Sequence, residues 1–198
     1  MQRMTIQVGS FEVNCTILSD AGKAYVVDPG HEAERIIALL EEKGLEPAAI
    51  LLTHAHFDHI GAVNGLQRRW PGLPVYVHPA DVAAFTHPLN RMEPFYPAVE
   101  KPENVRDARE FTLAEVIETP GHTPGGVCYR FKEDGLLLSG DTLFAGSVGR
   151  TDFPGGSMPT LMESLRKLTA LPDDTLVIPG HGMQTTIGAE KAANPFLQ

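Results

Sequence analysis

Residues 53–59 of the chain, with the sequence THAHFDH, concentrate four metal-binding side chains: His54, His56, Asp58 and His59. His54 and His56 are two apart, so an extended chain turns both toward the same side. Asp58 and His59 begin the next element, where the chain can aim a second pair at the same point. Imidazole and carboxylate ligands suit zinc, iron or manganese. A lone histidine is more often an ordinary core or surface residue, but burying this cluster without a cation would be costly. The segment therefore predicts a divalent metal site.

Three later segments supply side chains of the same kind. His122 lies in TPGHTPG (residues 119–125), Asp141 in SGDT (139–142) and His181 in PGHG (179–182). Each follows a short apolar run that predicts a strand, and loops at the carboxyl ends of strands usually carry the sites of layered α/β proteins. Any one of these segments alone would be an ordinary turn. Together with residues 53–59 they indicate one shared site.

The elements that must position these residues follow from hydrophobic periodicity and turn signals. Strands are expected at residues 5–8, 13–18, 24–27, 48–52, 75–77, 116–119, 127–131, 136–138 and 176–178. Helices are expected at residues 33–43, from about 58 to 69, and at 158–168. Residues 87–105 contain four prolines and predict an irregular loop. Two successive groups of strands and helices indicate an α/β fold with two sheets packed face to face and helices outside.

Composition excludes several classes of function. The 198 residues, 42% hydrophobic and 21% charged, predict one globular domain. The net charge of −9 argues against a nucleic-acid partner, which would call for clustered cations. No apolar window approaches the ~20 residues that cross a bilayer, so we expect no membrane partner and a cytoplasmic protein. Cys15 and Cys128 lie in apolar runs and predict core thiols rather than a disulfide scaffold. The oligomeric state stays open.

The order HAHFDH, GH, GD, GH resembles the metallo-β-lactamase superfamily over essentially the whole chain. More narrowly, residues 140–156 (GDTLFAGSVGRTDFPGG) and 185–196 (TTIGAEKAANPF) resemble small bacterial glyoxalase II-like enzymes, the hydroxyacylglutathione hydrolases. The resemblance implies a four-layer αβ/βα sandwich with metals at one edge of the two sheets. It assigns one ion to His54, His56 and His122, a second to Asp58, His59 and His181, a bridging role to Asp141, and a supporting role to Asp28.

The implied activity is metal-dependent hydrolysis of a thioester such as S-D-lactoylglutathione. Two divalent ions, with zinc first and iron or manganese as alternatives, can share a water and lower its pKa toward neutrality. The resulting hydroxide would attack the carbonyl, with Asp58 as a catalytic residue that orients it. No side-chain nucleophile is needed, and no serine of the chain lies in a Gly-x-Ser-x-Gly elbow. Only 17 residues follow His181, with Lys191 as their single cation, so we expect no helical glutathione-binding domain and weak recognition of glutathione.

Other readings remain open on these residues. Persulfide dioxygenases resemble the chain even in residues 149–153 (GRTDF), and there the equivalents of His54, His122 and Asp141 hold one iron. A lactone or ester hydrolase is a further alternative, whereas a bridging Asp141 is unlike a true β-lactamase. A non-enzymatic metal-holding module would call for an appended flavin domain.

Side chains outside the predicted ligands carry weaker expectations. Arg150 could meet a substrate carboxylate or pair with Asp152. Tyr129 and Phe144 line the pocket or fill the core. The remaining histidines are expected to be bystanders: His31, His78 and His87.

Overall fold

Two β-sheets, one from each half of the chain, face each other in the computed structural model, which describes residues 1–88 and 90–198. The first sheet contains, in spatial order, β1 (Gln2–Val8), β2 (Val13–Asp20), β3 (Lys23–Val27), β4 (Glu46–Leu51), β5 (Val75–Val77) and β6 (Val105–Asp107). The pairs β1–β2 and β2–β3 are antiparallel, and the pairs from β3 to β6 are parallel. The connections before β4 and β5 are helical: α1 (Ala33–Glu42), α2 (Phe57–Ile60) and α3 (Val63–Arg69).

The second sheet is built from the other half of the chain. Its strands are β7 (Glu115–Glu118), β8 (Val127–Phe131), β9 (Leu136–Gly140), β12 (Leu176–Pro179) and β13 (Thr185–Thr186), in the spatial order β13-β12-β9-β8-β7. A two-stranded ribbon of β10 (Leu143–Phe144) and β11 (Ser147–Val148) follows β9. The helices of this half are α4 (Met158–Thr169) and α5 (Ile187–Ala193). Since β9 and β12 are parallel, their carboxyl ends lie at the same edge of the sheet.

Three separate apolar clusters fill the spaces between four layers. One packs α1 and α3 on the first sheet, with Ile36 and Leu66 fully buried. Another lies between the two sheets and contains Leu51 of β4 and Tyr129 of β8. The last packs α4 on the second sheet through residues such as Leu165. This arrangement is the four-layer αβ/βα sandwich, and it confirms the predicted fold class.

The largest difference from the predicted elements is the helix expected at about residues 58–69. It is two helices, α2 and α3, because the Ala62 N–H donates to the Pro29 carbonyl at 2.9 Å and leaves the helical ladder. The predicted strand 116–119 is β7, one residue earlier, and 3-10 helices such as Pro79–Thr86 were missed. The elements absent from the prediction are short: β6, β10, β11, β13 and α5.

Three further features concern the proline-rich loop, the two cysteines and the length of the helices. The predicted loop 87–105 is irregular apart from a bridge between Met92 and Tyr96 and its last residue, Val105, which begins β6. Leu89 within this loop lies outside the described residues. Cys15 and Cys128 are free and buried, and burial raises the pKa of the Cys128 thiol to about 11. No helix in residues 1–88 or 90–198 is long and apolar enough to cross a membrane.

Candidate metal centre

The seven side chains predicted to bind metal meet at the edge where both sheets present the carboxyl ends of their strands. Residues 54–59 follow β4 and continue into α2, whereas His122 lies in the loop between β7 and β8. Asp141 directly follows β9, and His181 is the second residue after the end of β12. Their ligand atoms form overlapping groups in which all atoms lie within 4.8 Å of one another. The site therefore joins loops from both halves of the chain.

The first triad consists of His54, His56 and His122. The facing ring nitrogens of His56 (Nδ1) and His122 (Nε2) are 2.9 Å apart. His122 Nδ1 lies 2.7 Å from the carbonyl oxygen of Arg150, to which it donates, so that the Nε2 lone pair points inward. His54 is held from behind by the Thr53 hydroxyl at 3.1 Å from its Nδ1, and its buried Nε2 has no hydrogen-bond partner among the described residues.

The second triad consists of Asp58, His59 and His181. His181 Nε2 lies 3.3 Å from Asp58 Oδ2 and 3.4 Å from His59 Nε2. Its Nδ1 donates to the carbonyl oxygen of Phe11 at 2.8 Å, which again turns Nε2 inward. Asp28, the predicted supporting residue, places Oδ2 3.1 Å from His59 Nδ1, so that His59 Nε2 faces the other two members.

The carboxylate of Asp141 lies between the two triads. Its Oδ2 is 3.5 Å from His122 Nε2 and 3.6 Å from His181 Nε2, and its Oδ1 is 3.5 Å from His59 Nε2. Oδ1 is buried without a hydrogen-bond partner among the described residues. The neighbouring Gly180 makes this approach possible, since a β-carbon there would overlap Asp141 Oδ1. One carboxylate thus faces nitrogens of both triads.

The two triads differ in their electrostatics. Burial lowers the pKa of His54 well below its ordinary value and that of His56 to about 4. Burial also disfavours a charged His59, but the carboxylates of Asp141 and Asp58 outweigh it and raise the pKa of His59 well above the usual value. Burial would raise the pKa of Asp141, yet the charge on His59 holds it far below the normal range. In the first triad, His54 and His56 are therefore neutral near pH 7. In the second triad, the carboxylate of Asp58 favours the charged forms of His59 and His181.

This donor set fits divalent cations. His54 Nε2 and Asp141 Oδ1 are buried polar atoms without hydrogen-bond partners among the described residues, which is costly in a folded protein unless a ligand satisfies them. His122 and His181 each use their outer nitrogen on a backbone carbonyl, the arrangement typical of metal-bound histidine. Five imidazoles and two carboxylates also match the preferences of zinc or iron.

Three buried polar side chains that sequence reasoning missed hold the ligand loops in place. Asp81 accepts hydrogen bonds from Ala55 N at 3.2 Å, the Thr123 hydroxyl at 2.7 Å and Gly125 N at 2.6 Å. It thereby ties the loop of His54 and His56 to the loop of His122. The only local signal for Asp81 is an acid within a largely apolar segment.

Two asparagines, Asn90 and Asn14, hold other ligand segments in place through hydrogen bonds to the backbone. Asn90 accepts from Phe57 N at 2.9 Å and donates to the Ala55 carbonyl at 2.8 Å, and so fastens the entry to α2. Asn14 donates to the carbonyls of Pro179 and Gly182 at 3.0 and 2.9 Å and brackets His181. No pattern in the sequence distinguishes these amides from ordinary turn or strand residues.

A cavity of about 910 Å³ opens directly above both triads. Phe144 lines it, whereas Tyr129 is core and donates to the Leu52 carbonyl at 3.2 Å. Arg150 also lines the cavity, but its guanidinium is paired through two 2.7 Å hydrogen bonds with Asp152.

The three histidines expected to be bystanders differ in their position relative to the cavity. His31 contacts the Phe95 carbonyl, and His78 pairs with Glu118 at 2.8 Å, both outside the cavity wall. His87 lines the cavity, because the chain after the 3-10 helix Pro79–Thr86 reaches its wall, and the expectation that His87 has no role in the site stays a prediction.

Comparison with known sequences relates the chain to metallo-hydrolases over nearly its full length. A sequence model of the metallo-beta-lactamase superfamily matches residues 8–181. The chain is 39% identical over 207 residues to the probable metallo-hydrolase YqgX of Bacillus subtilis, covering 100% of this chain and 98% of that protein. It is 38% identical to the hydroxyacylglutathione hydrolase GloC of Haemophilus influenzae, covering 97% and 96%.

Solved structures share the whole architecture. The BLEG-1 B3 metallo-beta-lactamase superposes with a TM-score of 0.91 at 39% identity, covering 99% of each chain. TTHA1623, in a di-iron-bound form, gives 0.90 at 41%, covering 98% of this chain and all of that one. ETHE1 from Myxococcus xanthus gives 0.76 at 28%, covering 98% and 84%. Sequence, fold and the gathered histidines agree, and the chain therefore belongs to the metallo-β-lactamase superfamily.

Proposed function

We propose that the chain is a metal-dependent hydrolase that cleaves an acyl thioester such as S-D-lactoylglutathione. The position of Asp141 carries this proposal, because its two oxygens lie 3.5 to 3.6 Å from nitrogens of both triads. A carboxylate there can be shared by two cations, and paired ions are typical of enzymes that hydrolyse with an activated water. The similarity to the hydroxyacylglutathione hydrolase GloC supports a thioester as the substrate.

The ligand assignment follows from the two triads. His54, His56 and His122 would hold one divalent ion, Asp58, His59 and His181 the other, and Asp141 both. Zinc suits this donor set. Iron is the alternative, supported by the di-iron form of TTHA1623. Because the ligands come from both sheets, we propose that the four layers act as one hydrolase domain.

Divalent ions bound here would polarise the thioester carbonyl and lower the pKa of water toward neutrality. The chain's own contribution centres on Asp58. Burial would raise its pKa, but the neighbouring His59 and His181 outweigh burial and lower it, so the carboxylate is ionised near neutral pH. In that form it accepts a hydrogen bond from the attacking water and orients it. Water adds to the carbonyl carbon, the carbon–sulfur bond breaks, and the proton passes to the departing thiolate, which gives a carboxylic acid and a thiol.

The test combines metal analysis with a thioesterase assay. Protein reconstituted with zinc, and separately with iron, is analysed for metal content and assayed on S-D-lactoylglutathione by loss of thioester absorbance. We expect about two ions per chain and hydrolysis that a chelator abolishes. Two bound ions with no hydrolysis of any thioester would refute the proposed reaction.

A second candidate is the one-iron persulfide dioxygenase reaction, which the resemblance of residues 149–153 (GRTDF) to that family favours. Oxygen uptake with glutathione persulfide separates the two reactions, since thioester hydrolysis consumes no oxygen. A stable content near one ion, with iron alone supporting activity, would favour the dioxygenase. A chromogenic cephalosporin is assayed as well, to test for β-lactam hydrolysis, because BLEG-1 is described as a B3 metallo-beta-lactamase.

A further inference from the structure

Four phenylalanines line the cavity beyond the metal centre: Phe11, Phe57, Phe144 and Phe153. The Phe153 ring meets the His56 ring edge-on at 5.5 Å, and the Phe144 ring lies 6.3 Å from that of His181. Phe11, which also lines the cavity, is 42% exposed. Phenylalanine rings therefore border both triads, and Phe11, Phe144 and Phe153 are at least partly open in one concave surface. A concave, mostly apolar lining of this kind marks a binding site.

Fixed contacts hold these rings in place before any substrate arrives. The guanidinium of Arg150 stacks on the Phe153 ring at 4.0 Å, and Asp152 anchors that guanidinium. Phe11 packs edge-on against Phe57 at 5.6 Å. Ordered rings lose little conformational entropy on binding, so the apolar wall is prepared to accept an apolar group.

The charged groups of the wall are mostly committed to other partners. Arg150 is occupied by Asp152, and Asp81 is occupied by three hydrogen bonds from the ligand loops. Among the lysines and arginines of the described wall, Arg91 alone has no acidic partner. A glutathione arm carries two carboxylates and one ammonium group. One cation cannot pair both carboxylates, and each unmet charge loses solvation on entry.

From this arrangement we propose that the cavity selects thioesters whose thiol arm is uncharged and apolar, such as an arylalkyl thiol, and that Phe153 is a specificity-determining residue for that arm. The inference rests on the proposed thioesterase function and adds to it the chemistry of the leaving group. An uncharged arm needs no cation from the wall, and its ring replaces water on the exposed aromatic surface.

The test compares D-lactoyl thioesters of 2-phenylethanethiol, 2-mercaptoethanol and glutathione on the metal-loaded protein. Burial of a phenyl ring predicts a kcat/KM at least about tenfold higher for the phenylethyl thioester than for the mercaptoethanol thioester. Glutathione should rank at or below mercaptoethanol. A glutathione thioester ranked first would overturn this inference and leave the thioesterase function standing. Hydrolysis of none of the three would overturn both.

Variants locate the preference on the wall. Phe153→Ala should reduce the ratio of kcat/KM for the phenylethyl to the mercaptoethanol thioester by about threefold or more. Phe95→Ala is the matched control, since Phe95 is 66% exposed and lies outside the described wall. A ratio unchanged in Phe153→Ala, with thermal unfolding and metal content like those of wild type, would overturn the role of Phe153.

Discussion

Asp81→Asn is the sharpest test of how the fold supports the metal centre. Of the three hydrogen bonds that Asp81 accepts, the amide oxygen of asparagine can keep the one from Gly125 N. The Thr123 hydroxyl can turn and accept from the new NH₂ group. The Ala55 N–H, 3.2 Å away, then faces a second donor and loses its partner. The net loss is one charge-assisted hydrogen bond.

Such a bond is worth about 1.5–3 kcal/mol. For a chain of 198 residues this lowers Tm by roughly 3–12 °C. Since Asp81 ties together the loops of the first triad, the affinity for the ion held there should also fall about 10- to 100-fold, as for other residues that orient metal ligands. The ion of the second triad should be held as in wild type.

The assay is thermal unfolding of the metal-free protein, followed by chelator-competition titration of each ion. Asp173→Asn is the matched control, because Asp173 is an exposed carboxylate that pairs with Lys191 on the surface, and such pairs contribute about 0–1 kcal/mol. If Asp81→Asn melts with the control and binds both ions with wild-type affinity, then Asp81 does not position the first triad.

Three further predictions concern the ligands and the substrate. Asp141→Ala should lose both ions and turnover, whereas Asp58→Ala should keep the ion of the first triad. Elemental analysis of each variant measures the bound ions, and two ions retained in Asp141→Ala would refute the bridging role. Acidification should release the ion of the second triad first, because the pKa values of His59 and His181 are raised and protons compete with the ion there at higher pH. The lowered pKa values of His54 and His56 delay that competition in the first triad to lower pH, and metal content after dialysis at stepped pH measures this order. Finally, Arg91→Ala should raise the KM for S-D-lactoylglutathione by less than about a hundredfold, or 2.7 kcal/mol. A larger rise in KM, measured by steady-state kinetics, would reveal a dedicated glutathione site.

The layered α/β architecture could be predicted from local signals, whereas the number of layers followed from the resemblance to the metallo-β-lactamase superfamily. The spacing of Ile36, Ile37 and Leu40 gives α1 an apolar face, and the apolar run that forms β4 shows that both its faces are covered. The strands β10, β11 and β13 are two residues long, too short for any alternation to be visible. The break between α2 and α3 depends on the Pro29 carbonyl, which is remote in sequence.

The gathering of the metal-binding side chains was predictable for a different reason. Strong ligand types followed successive strands, and parallel strands bring such positions to one edge. The supports were not predictable, because Asn14 is 165 residues from the carbonyl of Pro179 that it binds. A polar side chain that acts through such distant contacts has no local signature. The assignment of individual ligands to two ions stays a prediction.

The metal centre lies where loops from the two sheets meet, so bound metal would also stabilise the packing of one sheet on the other. Each ion would bind side chains from both halves of the chain. Residues 54–59 follow a strand of the first sheet, whereas His122, Asp141 and His181 follow strands of the second. A ligand that binds only the assembled state adds stability with its free concentration, about 2.7 kcal/mol at a hundred times its Kd. Loss of the metal would then weaken the packing between the two sheets and expose their apolar faces to proteases. We expect the cellular lifetime of this protein to follow the availability of its metal.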